Sequence, residues 1–229
     1  MYMYCHGNPI MYSDPDGHIT KEQNKANFGI DKEFKNDKES IDQLRKKAEE
    51  RRAKYNDGRT MQSTNNCASY AVGKLKKSSN ELFPDGIPKK NSMNTKFGYT
   101  PGMFSGKPLT PEETNKPEII IERMKADAEI LGATFKPIGM DDETGKGNHK
   151  IALFVDAKTS SGEIQKKGGL GFHFYYQDED GSWSEKMSSG TATNMINGKR
   201  VSDPRKINNS TYETFGGFFE VGGFDNNEK

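Results

Sequence analysis

The sequence is short of cysteine and of hydrophobic residues. Only two of its 229 residues are cysteine, at positions 5 and 67. Two cysteines so far apart exclude a disulfide framework and a CxxC zinc site. Hydrophobic residues make up 31% of the chain, and no apolar run approaches the roughly 20 residues that a membrane helix needs. We therefore expect a modest core and no membrane span.

The sequence also has no large excess of positive or negative charge. The 34 basic residues nearly balance the 33 acidic ones, which leaves a net charge of +1. Because nucleic-acid binding draws on a basic field, the charge gives no reason to expect a nucleic-acid partner. The N-terminus lacks a basic region followed by an apolar core, so we expect no signal peptide in this chain.

Apolar residues recur at helical spacing in three segments. A narrow stripe predicts a long helix over residues 37–55, with its many charges on a solvated face. A shorter pattern predicts a helix that begins at Cys67. Pro117 suits the first turn of a third helix, over residues 118–131, and Gly132 should end it.

The second half of the chain has the character of β-strands. A nearly continuous apolar run over residues 150–157 predicts a central strand covered on both faces. Aromatic residues on both sides of Asp180 and Gly181 predict a hairpin. Residues 214–224 predict a glycine-rich strand. Helices first and an antiparallel sheet second indicate an α+β domain.

The stretch "GNPIMYSDPDG", residues 7–17, combines an Asn-Pro and an Asp-Pro-Asp-Gly turn signal. It resembles the closing motif of Rhs (rearrangement hotspot) and other YD-repeat proteins, where such a motif separates a conserved β-shell from a variable C-terminal toxin. The resemblance implies a core remnant at residues 1–18, a polar linker at 19–36 and a toxin domain at 37–229. The alternative is an ordinary turn-rich N-terminal strand.

Cys67 follows the polar run "STNN" and begins a predicted helix. The thiolate is the reactive form of cysteine, and unpaired N–H groups at a helix start favour negative charge. Since His6 and His18 belong to the core remnant and His149 to a polar loop, His173 on the predicted hairpin is the candidate base. Its side chain should lie on the sheet face opposite its aromatic neighbours. The alternatives are a small buried cysteine and a structural histidine.

The two blocks "TNNCASYA", residues 64–71, and "HFYYQDEDGSWSEK", residues 173–186, resemble the papain-like (NlpC/P60-like) cysteine peptidases and amidases. The resemblance implies a papain-like fold, with N-terminal helices packed on an antiparallel sheet. It also implies that Cys67 is the nucleophile and His173 the base, with no cofactor or metal. The chain departs from the pattern at Glu185, where relatives often have another histidine.

The residue that orients His173 is left open by the sequence. Asp203 is the first choice, because the related pattern also has Asp-Pro there, and Asn194 and Glu185 are alternatives. Each carries an oxygen that can accept a hydrogen bond from the far ring nitrogen.

The oxyanion formed during attack on a carbonyl also needs hydrogen-bond donors. We expect the backbone N–H of Cys67 to be one of them. The other candidate donors are the side chains just upstream, Gln62, Asn65 and Asn66.

Taken together, the motifs predict an effector toxin that is secreted into a target cell and acts as a cysteine hydrolase: a protease, a deamidase or an amidase. Glycine-rich strands near the site favour a protein or peptide substrate. The resemblance further implies an Rhs core shell and a cognate immunity protein as partners.

Two other functions are alternatives. One is a toxin nuclease that uses His149 or His173, although no HNH-like spacing is present. The other is a binding module without catalysis, whose aromatic hairpin packs against a partner. The acidic residues 178–180 are too short for an EF-hand loop, and we interpret them as a plain acidic turn.

Overall fold

The computed structural model describes residues 38–74, 98–156, 158–159, 163, 171–208 and 211–224. The predicted core remnant at residues 1–18 and the linker at 19–36 lie outside the described residues, and so do Cys5, His6 and His18.

Four α-helices precede the sheet in the described part of the chain: α1 (Lys38–Asn56), α2 (Gly58–Thr64), α3 (Cys67–Ala71) and α4 (Pro117–Leu131). A 3₁₀ turn, Pro111–Glu113, lies before α4. The three predicted helices are confirmed as α1, α3 and α4. Gly132 ends α4 in the left-handed region, at φ 62°, which a residue without a Cβ adopts at little cost.

The main sheet has six strands in the order β1-β8-β2-β3-β4-β5, and all neighbours are antiparallel. Its strands are β1 (Thr134–Pro137), β2 (His149–Val155), β3 (Phe172–Gln177), β4 (Trp183–Lys186), β5 (Ala192–Thr193) and β8 (Thr214–Gly222). A small ribbon pairs β6 (Met195–Ile196) with β7 (Lys199–Arg200). Helices followed by an antiparallel sheet confirm the predicted α+β class. No described helix is long and apolar enough to cross a membrane.

The central strand β2 is covered on both faces, as its apolar run predicted. Ile151, Leu153 and Val155 pack on one face with α3 and α4. Ala152 and Phe154 pack on the other face in a second cluster with Trp183, Phe218 and Tyr175. Alternate residues of one strand therefore belong to two separate cores.

Several charges of α1 turn inward, so the predicted solvated face is wrong for one side of this helix. Arg51 and Arg52 both form ion pairs with Asp178, and Arg45 lies 3.8 Å from Asp180. The side chains of Asp178 and Asp180 are 0% and 1% exposed. The acidic turn of the hairpin is thus the buried counterpart of the arginines on α1 and not a plain surface turn. Burial is tolerable here because each charge meets an opposite one.

Candidate active site

Cys67 is the first residue of α3, as the sequence predicted. Asn65 and Asn66 have extended backbones between α2 and α3. The side-chain oxygen of Asn66 accepts a hydrogen bond from the Ser69 backbone N–H at 2.9 Å, which caps the helix. Cys67 itself is 2% exposed and contacts the apolar core below α3.

The structure brings Cys67 and His173 together, although 106 positions separate them in the chain. Helix α3 packs against β3, which carries His173, and the Cys67 thiol is hydrogen-bonded to the His173 ring. On the other side of the ring, Nε2 lies 2.9 Å from Oε2 of Glu185. Since Glu185 takes Nε2, Nδ1 is the ring nitrogen that remains for the sulfur.

These two partners set the protonation of His173. Burial by itself would lower the pKa of the imidazole, because a charged ring is costly in a dry interior. The hydrogen bonds and charges of Cys67 and Glu185 outweigh that cost and raise the pKa of His173 to about 9. The ring is consequently an imidazolium at neutral pH, which is the partner that a thiolate requires.

Two tyrosines pack against the His173 ring and fix its orientation. Tyr212 is stacked on it, with 5.3 Å between ring centroids and an interplanar angle of 21°. Tyr175 meets its edge at 4.8 Å. Phe172 and Phe174 belong to the core on the opposite face, so the predicted side of the sheet for His173 is confirmed. The sequence contained no signal for Tyr212, which lies 39 residues away.

Glu185, and not Asp203, contacts His173. The Asp203 carboxylate pairs with Arg205, with two side-chain contacts of 2.9 Å, and caps the 3₁₀ turn Pro204–Lys206. Asn194 is a buried residue of the β5–β6 connection. The carboxylate of Glu185 is the group that accepts the hydrogen bond from the far ring nitrogen, Nε2. We therefore correct the first choice, Asp203, to Glu185.

The register of the hairpin explains this outcome. Glu185 pairs with Tyr175 across β3 and β4, and Tyr175 lies two residues from His173. Residues two apart in a strand share a face, and diagonal neighbours on adjacent strands are within reach of long side chains. The hairpin signal at Asp180 and Gly181 could therefore have identified Glu185 from the sequence.

Two of the three candidate oxyanion side chains have structural roles. The amide nitrogen of Asn65 donates to the Met61 carbonyl at 3.0 Å and lies 3.3 Å from Oγ1 of Thr64. Asn66 donates to the Tyr99 carbonyl at 2.9 Å in addition to capping α3. Gln62 makes a longer bond, 3.5 Å to the Asn56 carbonyl, and its side chain is the remaining candidate.

His149 has a different environment. It begins β2, its Nε2 lies 2.6 Å from the Ala71 carbonyl oxygen, and its ring stacks on Tyr176 at 4.3 Å. The described residues contain no group of three or more His, Cys, Asp or Glu side chains that could hold a metal ion.

The glycines of β8 follow from internal packing. A Cβ on Gly216 would lie 2.9 Å from the Leu153 side chain, and one on Gly217 would lie 3.0 Å from the Phe219 ring. The core neighbours of these two positions account for both glycines.

No protein-family model, curated protein or solved structure matches this chain. Its function is therefore argued from the geometry of Cys67, His173 and Glu185.

Proposed function

We propose that this chain is a papain-like cysteine hydrolase that cleaves an amide bond through a Cys67–His173–Glu185 triad. One observation carries the proposal: Nε2 of His173 lies 2.9 Å from the Glu185 carboxylate, and Cys67 is near enough to the same ring for its hydrogen bond and charge to raise the pKa of the imidazole. A base that activates the nucleophile and a third group that orients the base are the parts this chemistry needs.

At neutral pH the reaction begins from the ion pair, in which His173 is protonated and the Cys67 sulfur is a thiolate. The sulfur then forms a bond to the substrate carbonyl carbon, and the π electrons of the carbonyl move to its oxygen. The Cys67 backbone N–H and the Gln62 side chain are the proposed donors to that oxyanion. When the tetrahedral species collapses, the C–N bond breaks and the leaving amine takes the proton from His173.

Water completes the cycle. His173 removes a proton from it, and the resulting hydroxide attacks the thioester carbonyl. The C–S bond then breaks, the sulfur leaves as a thiolate, and His173 keeps the proton that it took from water, which restores the ion pair. Throughout, Glu185 accepts the Nε2–H bond and keeps Nδ1 directed at the sulfur.

The biological setting that we propose is an effector toxin of the Rhs type, delivered into a target cell and paired with an immunity protein. This part is supported by the motif at residues 7–17 alone. Proteolysis, side-chain deamidation and cleavage of peptidoglycan amides share the same acyl-thioenzyme, so each is a version of this proposal, with a protein or peptide substrate.

Expression in bacteria tests the proposal. The wild-type chain should stop growth, whereas Cys67→Ala and His173→Ala should be harmless at equal protein levels. Cys5→Ser is the matched control and should stay toxic. Mass spectrometry of proteins and muropeptides from intoxicated cells then identifies the bond, because a cut chain, a mass gain of about one unit and a cut stem peptide are distinct products.

The same strains separate the two alternatives. Plasmid degradation that persists in Cys67→Ala would support a nuclease. Toxicity that persists in Cys67→Ser without degradation would support a binding module. Either result would contradict the hydrolase proposal.

A further inference from the structure

Lys186 is the last residue of β4 and is 0% exposed. Its ammonium group donates three hydrogen bonds, all to backbone carbonyl oxygens: Gln62 at 2.7 Å, Ser188 at 2.8 Å and Gly190 at 2.9 Å. An ammonium has three protons, so each one has an acceptor. No carboxylate is among these acceptors, although buried lysines are usually paired with one.

The three bonds connect the candidate site to the end of β4. Gln62 lies five residues before Cys67, while Ser188 and Gly190 belong to the turn that follows Lys186. Next to Lys186 in the strand, Glu185 points to the other face of the sheet and holds His173. Two consecutive residues of β4 thus contact the two sides of the proposed triad: Glu185 contacts His173, and Lys186 contacts the chain before Cys67.

We propose that Lys186 is a positioning residue for the nucleophile: it fixes the chain that leads to Cys67, and its positive charge favours the thiolate. This inference rests on the proposed function. All three ammonium protons of Lys186 are taken by carbonyl oxygens, so none is left for a reacting atom.

The charged and titratable groups around Cys67 come from three elements. Among the described residues, His173 on β3 and Lys186 on β4 are cations that have an electrostatic interaction with Cys67. Tyr212 precedes β8 and also interacts with it, and Glu185 acts through His173. Burial lowers the pKa of Lys186 to about 8, and the charge of Cys67 opposes this lowering. The ammonium therefore remains charged at neutral pH.

The test measures the rate at which iodoacetamide alkylates Cys67 between pH 5 and 9, by mass spectrometry of the Cys67 peptide. Lys186→Met removes the charge and the donors but keeps the length of the side chain. The matched control is Lys150→Met, because Lys150 is 3% exposed and its ammonium also donates to backbone carbonyls, those of Met140 and Asp142. Thermal unfolding of each variant confirms that it is folded.

In Lys186→Met, we expect the pH at which alkylation of Cys67 is half-maximal to rise by about one unit, and the rate at pH 7 to fall roughly tenfold. Loss of a nearby opposite charge has an effect of about this size. Lys150→Met should keep the wild-type profile, and Lys186→Arg should move back toward it. A folded Lys186→Met with the wild-type profile would overturn the inference. So would a folded Lys186→Arg that matches Lys186→Met, because charge would then not be the cause.

Two further results are decisive. If wild-type Cys67 reacts no faster than Cys5, the proposed function fails, and this inference fails with it. If Lys186→Met does not fold, NMR titration of the Lys186 side chain in the wild-type protein replaces it. Alkylation of Cys67 should then move that titration to lower pH, because it removes the thiolate charge, and an unchanged titration would contradict the inference.

Discussion

Glu185 and His173 lie on the same face of the β3–β4 hairpin, and Nε2 of the ring is 2.9 Å from the carboxylate oxygen Oε2. The two residues are only 12 positions apart, and the turn between them determines their contact. Glu185 can therefore orient the base from within the same hairpin, whereas Asp203 is engaged by Arg205.

The first prediction concerns that contact. Glu185→Gln should abolish toxicity and slow alkylation of Cys67 at neutral pH by about tenfold, because a neutral amide no longer stabilises the imidazolium. Asp203→Asn, a matched loss of one carboxylate charge, should leave both unchanged. Growth inhibition and the labelling rate measure the two effects. If Asp203→Asn abolished toxicity and Glu185→Gln did not, Asp203 would be the residue that orients His173.

The second prediction is the titration of His173. Its pKa is raised to about 9, so the ring should stay protonated through neutral pH and lose its proton only as the pH rises through that value. Cys67→Ala and Glu185→Gln should each lower the midpoint, because each removes a group that stabilises the charge. In the double variant burial remains, and the midpoint should fall below the usual value of about 6.5. NMR of the ring Cε1–H measures each midpoint, and a wild-type midpoint near 6.5 would refute the ion pair.

The third prediction concerns the buried ion pairs that tie α1 to the hairpin. Asp178 pairs with Arg51 and Arg52 and also accepts a bond from the Ser184 hydroxyl at 2.6 Å. Asp178→Asn would leave Arg52 without this counter-charge and Arg51 with only the longer pair to Glu179, at 3.9 Å, so we expect a loss of about 3–5 kcal/mol in the free energy of unfolding.

Glu213→Gln is the control for Asp178→Asn. Its partner Lys158 is 79% exposed, so the change should cost less than about 1 kcal/mol. Urea unfolding compares the two variants. Equal costs would show that the buried pairs do not stabilise the fold.

The fourth prediction concerns the segment that lies against α3. Gly98 has φ 103°, and a Cβ there would lie 2.8 Å from the Thr64 carbonyl oxygen. The adjacent Tyr99 accepts a bond from Asn66 and donates one to Ser69. Gly98→Ala should therefore destabilise the fold and slow alkylation of Cys67.

Gly106→Ala is the control for Gly98→Ala. Gly106 also has a positive φ, 73°, but a Cβ there meets nothing within 4 Å. It should cost only the backbone strain of about 1–2 kcal/mol and leave Cys67 labelling unchanged. Comparison of thermal unfolding and labelling separates close contact from strain. Equal effects of the two alanines would contradict the proposed contact at Gly98.

Local sequence patterns predicted much of the secondary structure of this protein. Helical spacing located α1 and α4, and an unbroken apolar run located the central strand β2. The start of a helix at Cys67 and the face of His173 also follow from local rules, because backbone periodicity is set within a few residues. These are the parts of the candidate site that depend on neighbours in sequence.

The tertiary structure decided which side chains meet. Local patterns predict that a lysine or an arginine is exposed, yet Lys186 and Arg52 are buried. One acceptor of Lys186, the Gln62 carbonyl, and the partner of Arg52, Asp178, each lie more than 120 positions away in the chain. Local spacing likewise could not tell that Cys67 on α3 would meet His173 on β3, which lies 106 positions further along the chain. The cost of burying a charge depends on which groups surround it in three dimensions, and that surrounding forms only when the helices pack on the sheet.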